Sequence, residues 1–203
     1  MAHLQSNQSG KNLRLAFFLN LAFTLFEIIG GLWTNSIAIL SDALHDLGDS
    51  LSLGLSWYLQ RKSRQTANQH YTYGYRRFSL LGALINSVVL VVGSVVIIVE
   101  AIERLQQPEA PDATGMLIFA IVGVGINGFA ALRLRAGKSL NERVVSWHLW
   151  EDVLGWLAVL LGAVVMLIWE TPWLDPVLSI GITVFILINI LKRLRNTADA
   201  FTR

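Results

Sequence analysis

Two pairs of side chains with the chemistry of metal ligands repeat the same spacing in this chain. His45 and Asp49 lie four residues apart, and the spacing recurs at His148 and Asp152. Residues at positions i and i+4 share one face of a helix, so each pair directs an imidazole and a carboxylate the same way. Ionisable groups at membrane depth cost about 2.5–3.5 kcal/mol each, so both pairs need a partner if their segments cross lipid. A divalent metal ion held by two nitrogens and two oxygens is the partner that we predict.

The composition places both pairs in a membrane protein. Hydrophobic residues make up 54% of the chain, charged residues 15%, and the mean hydropathy is +0.53. A soluble domain carries about 25% charged residues. Six apolar runs occur, at Leu15–Trp33, Ile37–Leu59, Phe78–Ile102, Thr114–Leu132, Val144–Trp169 and Trp173–Leu191. Each is near the ~20 residues that a helix needs to cross lipid, where backbone groups must be paired internally. We therefore predict an all-α membrane protein with six transmembrane helices.

The basic residues predict the orientation. Every lysine and arginine except Arg104 falls before the first run, between the second and third, between the fourth and fifth, or after the sixth. The positive-inside rule then places both termini in the cytoplasm. We expect a cytoplasmic segment at residues 1–12, a transmembrane domain at residues 13–195 and a short cytoplasmic tail at residues 196–203.

Charge and cysteine content exclude other classes of protein. The net charge of +2 does not indicate nucleic-acid binding, because the lysines and arginines lie mainly in the segments that the positive-inside rule assigns to the cytoplasm. The chain contains no cysteine, so disulfides and thiolate metal sites are excluded. Every side-chain ligand must therefore be His, Asp, Glu or a weaker oxygen donor.

Other polar groups lie inside the apolar runs and are candidates for supporting the metal ligands or relaying protons. They are Glu27, Asp42, Asp46, Asn127 and Glu151. Liganding histidines usually require hydrogen-bonding partners, which Asp46 and Glu151 could provide. Asp42 lies near the start of the second run, so it could instead be solvated or cap a helix. An isolated Asn in a transmembrane helix commonly joins two helices.

The chain resembles the cation diffusion facilitator family, whose members are zinc transporters with six transmembrane helices. The resemblance extends from about residue 12 to residue 195 and is carried by SIAILSDALHDLGDSLSL, YTYGYRRFSLLGALIN, KSLNERVVSWHLWEDVLG and LDPVLSIGI. It implies that the transport site consists of His45, Asp49, His148 and Asp152. It also implies that Asn127 stands where helix 4 commonly has an Asn. Members with His on both helices prefer zinc over cadmium, and this chain is of that kind.

The sequence departs from the family pattern in two places. Typical members continue after helix 6 into a cytoplasmic ferredoxin-like domain that binds more metal. Here the sequence ends at Arg203, so we expect a short member without that domain. Some members also bind a second zinc through the loop between helices 2 and 3. Only His70 could ligate there, so we expect no loop site.

The ligand chemistry, together with the resemblance, predicts a function. Two neutral imidazoles and two carboxylates carry a charge of −2, which neutralises a divalent ion. Such ligands lose protons when they bind metal, so one site can exchange metal for protons. We expect a proton-coupled exporter of a divalent cation, Zn2+ above others, that works by alternating access. We expect no catalytic cofactor, and we expect a homodimer in a bacterial inner membrane.

Two alternatives remain open from the sequence. The chain could be a membrane subunit that binds metal without transporting it, or an exporter of Fe2+, Co2+ or Mn2+, since availability and geometry set metal choice. An intramembrane metalloenzyme fits less well. It would need a general base placed as in His-Glu-x-x-His, which this chain lacks.

Overall fold

The computed structural model describes residues 2–62, 76–135 and 140–199. Side chains are described for residues 14–55, 58, 85–132, 149–192 and 195. The predicted loop containing His70 lies outside the described residues. Within the three described ranges, every regular element is a helix.

Six helices account for the six apolar runs. They are α1 (Ala2–Thr34), α2 (Ile37–Lys62), α3 (Arg76–Gln106), α4 (Ala113–Arg135), α5 (Leu140–Trp169) and α6 (Leu174–Asp199). Of the residues in the predicted runs, only Trp173 lies outside a helix, immediately before the start of α6. The helices extend beyond the runs at their polar ends, so α1 includes the predicted N-terminal segment from Ala2 and α6 enters the predicted tail. Leu, Lys and Arg are strong helix formers, which explains why α6 continues past its apolar run.

Five of the helices are long and apolar enough to cross a membrane. These spans are Arg14–Thr34, Ile85–Gln106, Ala113–Leu132, Leu149–Trp169 and Leu174–Lys192. The remaining helix, α2, is less apolar because it carries three carboxylates, those of Asp42, Asp46 and Asp49. The prediction of an all-α, multi-pass membrane protein is confirmed. A membrane crossing by α2 and cytoplasmic placement of both termini stay predictions.

The chain divides into two compact units. The first consists of Met1–Phe26, Ala43–Val95 and Ile186–Arg203, and the second of Glu27–Asp42 and Val96–Phe185. In the first unit, α2 and α3 approach closely because each offers a glycine to a leucine of the other. A Cβ at Gly48 would lie 2.6 Å from Leu90 Cδ2, and a Cβ at Gly93 would lie 2.5 Å from Leu44 Cδ1. A side chain at either glycine would therefore require the facing leucine to shift.

In the second unit, α4 and α5 pack against each other around a buried tryptophan. Trp156 of α5 is fully buried, and its indole lies directly over Gly123 of α4. A Cβ at Gly123 would overlap that ring, so glycine is required for this close approach. The contact fixes the part of α5 that immediately follows the predicted ligand Asp152.

An arginine of α3 binds the turn between α1 and α2. Asn35 adopts a left-handed backbone with a φ of 55°, a conformation that Asn tolerates better than most residues. Arg104 of α3 donates to the Asn35 carbonyl oxygen at 2.6 Å and to its Oδ1 at 2.8 Å. The Asn35 amide in turn donates to Glu109 Oε2 at 3.0 Å. Arg104 is the one basic residue outside the predicted cytoplasmic segments, and the structure shows that it binds this turn.

Candidate metal site

The first predicted pair of ligands lies on one face of α2, in the first unit. The Nε2 of His45 is 3.6 Å from the Oδ2 of Asp49, and each side chain is 15% exposed. Two ligands of one tetrahedral zinc, each at about 2.0–2.2 Å from it, are about 3.3–3.6 Å apart. The spacing within this pair therefore suits two ligands of a single small divalent ion. The expected i, i+4 alignment of the pair is confirmed.

Polar side chains from two other helices contact α2 around this pair. The Asn20 amide of α1 donates to the Asp46 carbonyl oxygen at 2.9 Å and to Ser50 Oγ at 3.0 Å. On α3, the Asn86 amide donates to Ser52 Oγ at 2.7 Å. A polar side chain that joins helices in lipid is worth about 0.6 kcal/mol on average, so these contacts hold the ligand-bearing turn without dominating its stability. Asp46 itself is buried.

The second predicted pair lies on α5. Asp152 is buried in the second unit, and the helix is continuous from Leu140 to Trp169, so His148 precedes Asp152 by one helical turn. The side chain of His148 lies outside the described residues. Glu151, proposed from the sequence as a supporting group, is exposed.

Asp42 contacts α5 near the second pair. Its side chain is 6% exposed, which excludes the solvated role that the sequence left open. A Cβ built on Gly155 would lie 3.2 Å from Asp42 Oδ1. Gly155 follows Asp152 by three residues and therefore lies close to the same helical face. The structure thus places the carboxylate of Asp42 beside the turn of α5 that carries Asp152.

The remaining two candidates are also buried in the second unit. Glu27 of α1 is fully buried, which agrees with a role inside the protein and not at its surface. The Asn127 amide donates to the Gly123 carbonyl oxygen at 3.2 Å, within its own helix. This hydrogen bond lies within α4, the helix that contains Asn127, and does not link two helices.

Within the part of the chain that the structure describes, no group of three or more His, Asp or Glu side chains stands ready to hold a metal ion. The His148 side chain is not among the described residues. His45 and Asp49 belong to the first unit, whereas Asp152 belongs to the second. The complete four-ligand site accordingly stays a prediction. The structure describes the geometry of the His45 and Asp49 pair and the burial of Asp152.

Sequence reasoning missed one buried carboxylate, that of Asp175 on α6. It accepts hydrogen bonds from the Ser36 hydroxyl at 2.6 Å and from the backbone N–H groups of Ile37 at 2.8 Å and Ala38 at 3.3 Å. Ser36 is also the N-cap of α2, because its Oγ accepts from the Ile39 N–H at 3.2 Å. Ser36 directly precedes an apolar run, and this pattern could have identified it from the sequence as the N-cap of α2.

The chain matches a family and several characterised proteins. Residues 13–201 match the family described as the cation efflux transmembrane domain. The chain is 36% identical over 194 residues to a protein of Bacillus velezensis named "Cadmium, cobalt and zinc/H(+)-K(+) antiporter", covering 92% of this chain and 62% of that protein. It is 31% identical over 203 residues to "Zinc transporter ZitB" of Escherichia coli, covering 98% and 64%.

A third relative has a broader name. The chain is 30% identical over 188 residues to "Metal cation efflux system protein CzcD" of Cupriavidus metallidurans, covering 92% of this chain and 60% of that protein. The chain therefore spans about three fifths of the length of these relatives.

Proposed function

We propose a function for this chain, which belongs to the cation efflux family. It exports divalent metal cations from the cytoplasm, and Zn2+ is its preferred ion. The proposed ligands of the ion are His45, Asp49, His148 and Asp152. The protein is a transporter and not an enzyme. The metal is its substrate, and no catalytic cofactor takes part.

The observation that carries this proposal is the paired His45 and Asp49 on α2. Their 3.6 Å separation suits two ligands of one zinc ion, and both side chains are largely buried. The spacing of His148 and Asp152 on α5 supplies an equivalent nitrogen and oxygen. Together the four groups carry a charge of −2, so a bound divalent ion makes the site neutral in the low-dielectric interior.

Protons are the proposed counter-substrate. Metal ligands must be deprotonated, so metal binding releases protons and protons expel metal. Moving two positive charges outward against ~100 mV costs about 4.6 kcal/mol, and each returning proton recovers about 2.3 kcal/mol. The name of the Bacillus velezensis relative includes H(+), which supports the same coupling here.

Zinc is proposed over other ions because it accepts tetrahedral sites of nitrogen and oxygen and has no redox chemistry. The names of two relatives include zinc, and that of one of these also includes cadmium and cobalt. Cobalt fits the same ligands, whereas the family resemblance implies that His on both helices favours zinc over cadmium. Fe2+ and Mn2+ are the remaining alternatives, since geometry and availability decide among such metals.

The proposed setting is a homodimer in a bacterial cell membrane, with six crossings and both termini in the cytoplasm. In this arrangement α2 also crosses the membrane, and its three aspartates explain why it is less apolar than the other five helices. Ionisable groups inside a membrane protein mark ion pathways, so the composition of α2 supports its place in the transport route.

The deciding experiment is zinc flux into liposomes that contain the purified full chain. An imposed pH gradient, acidic inside, should drive uptake of zinc that a fluorescent indicator reports, and an ionophore that collapses the gradient should abolish it. Zinc bound at equilibrium without any flux would instead support a metal-binding subunit that does not transport. The absence of both binding and flux would contradict the proposal altogether.

A further inference from the structure

The N-terminal ends of α2 and α6 are joined by a buried carboxylate, and nothing in the proposed transport chemistry uses it. Asp175 lies in the first turn of α6 and is 1% exposed. Its Oδ1 accepts from the Ser36 hydroxyl and the Ala38 N–H, and its Oδ2 accepts from the Ile37 N–H. One side chain of α6 therefore pairs with the opening turn of α2.

This contact satisfies backbone groups that every helix leaves unpaired at its start. A residue next to the helix normally caps them, whereas here two of the N–H groups are paired by a side chain 137 and 138 residues further along. The carboxylate charge also complements the positive end of the α2 dipole. A helix end buried in a membrane protein has little water to replace these bonds, so their loss should free the opening turn.

The two helices remain in contact beyond that first turn. The hydroxyls of Ser41 on α2 and Ser179 on α6 are 2.6 Å apart. The Thr183 hydroxyl, one turn later on α6, donates to Ser41 Oγ at 3.4 Å. All three side chains are fully buried. The two sets of contacts, at residues 36–38 and at Ser41, restrain both the position of α2 along its axis and its rotation about that axis. A single contact could not do both.

The position of the α2 ligands depends on that rise and rotation. His45 follows Ile37 by eight residues on one continuous helix, which corresponds to about 12 Å along the axis. Each residue turns a helix by about 100°, so a slip of one residue would swing His45 and Asp49 away from their present face. The contacts that hold the start of α2 therefore contribute to the direction of both ligands, together with those of Asn20 and Asn86 around the ligand-bearing turn.

We propose that Asp175 is a positioning residue for the metal site, and this inference rests on the proposed function of that site. Asp175 acts through α2 and not on the ion, since its two oxygens already accept three hydrogen bonds. It helps to fix the direction of His45 and Asp49 on α2. Loss of the Asp175 contact should thus weaken metal binding at a site that it does not touch.

Asp112 provides a matched control. Its Oδ1 accepts from the N–H groups of Thr114 at 3.1 Å and Gly115 at 3.0 Å, and so caps α4. This is the same chemistry at the start of a helix with no predicted ligand. Asp175→Asn and Asp112→Asn each replace a capping carboxylate by an isosteric amide. Only the first removes a charged contact to the ligand-bearing helix.

The test measures zinc affinity of the purified full chain, together with the visible spectrum of bound cobalt, which reports ligand geometry. Asp175→Asn should weaken zinc binding about 10-fold, as loss of supporting groups around a metal site commonly does. It should also alter the cobalt spectrum, whereas Asp112→Asn should leave both unchanged. A purely structural role would change thermal stability in both variants and the spectrum in neither.

Two outcomes overturn the inference. One is wild-type zinc affinity and cobalt spectrum in Asp175→Asn, and the other is an equal loss of affinity in Asp112→Asn. If Asp175→Asn does not insert, Ser36→Ala is decisive. It removes one bond of the same contact, so unchanged affinity and spectrum in that variant would refute positioning. Failure of the unaltered protein to bind zinc would instead refute the proposed function itself.

Discussion

The Nε2 of His45 and the Oδ2 of Asp49 lie 3.6 Å apart on one face of α2, with 15% of each side chain exposed. This distance is longer than a hydrogen bond and suits two ligands of one tetrahedral ion. The separation of this nitrogen and this oxygen therefore matches the spacing of two zinc ligands. Several expected outcomes depend on this relationship.

Removal of the α2 carboxylate should abolish transport. Asp49→Ala deletes one oxygen ligand and leaves the site with one negative charge for a divalent ion. We expect zinc flux in liposomes to fall to background while the protein still inserts. Glu103→Gln, which neutralises an exposed carboxylate of α3, is the control and should transport normally. Near-normal flux in Asp49→Ala would show that this residue is not a ligand.

Acid should weaken zinc binding. A protonated imidazole cannot bind metal, and an imidazole ordinarily titrates at about pH 6.5. Protons therefore compete with the metal for these ligands, and binding weakens as the pH falls. We expect the zinc dissociation constant, measured on the purified protein, to rise between about pH 7.5 and pH 5.5. A constant that does not change over this range would argue against histidine ligands.

The residue at position 45 should set the choice between zinc and cadmium. The unaltered protein should transport zinc well and cadmium poorly. Because a carboxylate is smaller than an imidazole and adds negative charge, His45→Asp should admit the larger ion. Flux of each metal at equal concentration measures this. Equal transport of both metals by the unaltered protein would place selectivity elsewhere.

A methyl group at Gly155 should disturb the packing of α5 against Asp42. In Gly155→Ala the new Cβ would lie 3.2 Å from Asp42 Oδ1, a tight contact with a buried side chain. Overpacking costs about 1–3 kcal/mol, and the ~1 kcal/mol by which alanine favours helix over glycine offsets part of it. Because Asp42 is buried and has little room to shift, we expect a lower unfolding midpoint and slower zinc flux.

Gly125→Ala is the matched control for that substitution, since nothing lies within 4 Å of a Cβ built there. It should be neutral or slightly stabilising, because alanine favours helix. If the two variants behave alike in both unfolding and flux, the contact between Gly155 and Asp42 does not matter to the protein.

Features that depend on local pattern were determined by the sequence itself. The lengths of the apolar runs located all six helices, and polar residues beyond each run only shifted the ends, as at Ala2 of α1 and Asp199 of α6. The spacing of His45 and Asp49 predicted that they share a face, because helical periodicity is a property of the backbone. The same rule predicts the alignment of His148 with Asp152.

Only the tertiary structure decided which helices meet and at what level. Nothing local to Asp175 indicates that it pairs with the start of α2, 138 residues earlier. Likewise, the sequence left Asp42 free to be solvated, whereas packing buries it beside Gly155. Periodicity assigns a residue to a face of its own helix, but the rotation and rise of one helix against another depend on the packing of all their side chains together.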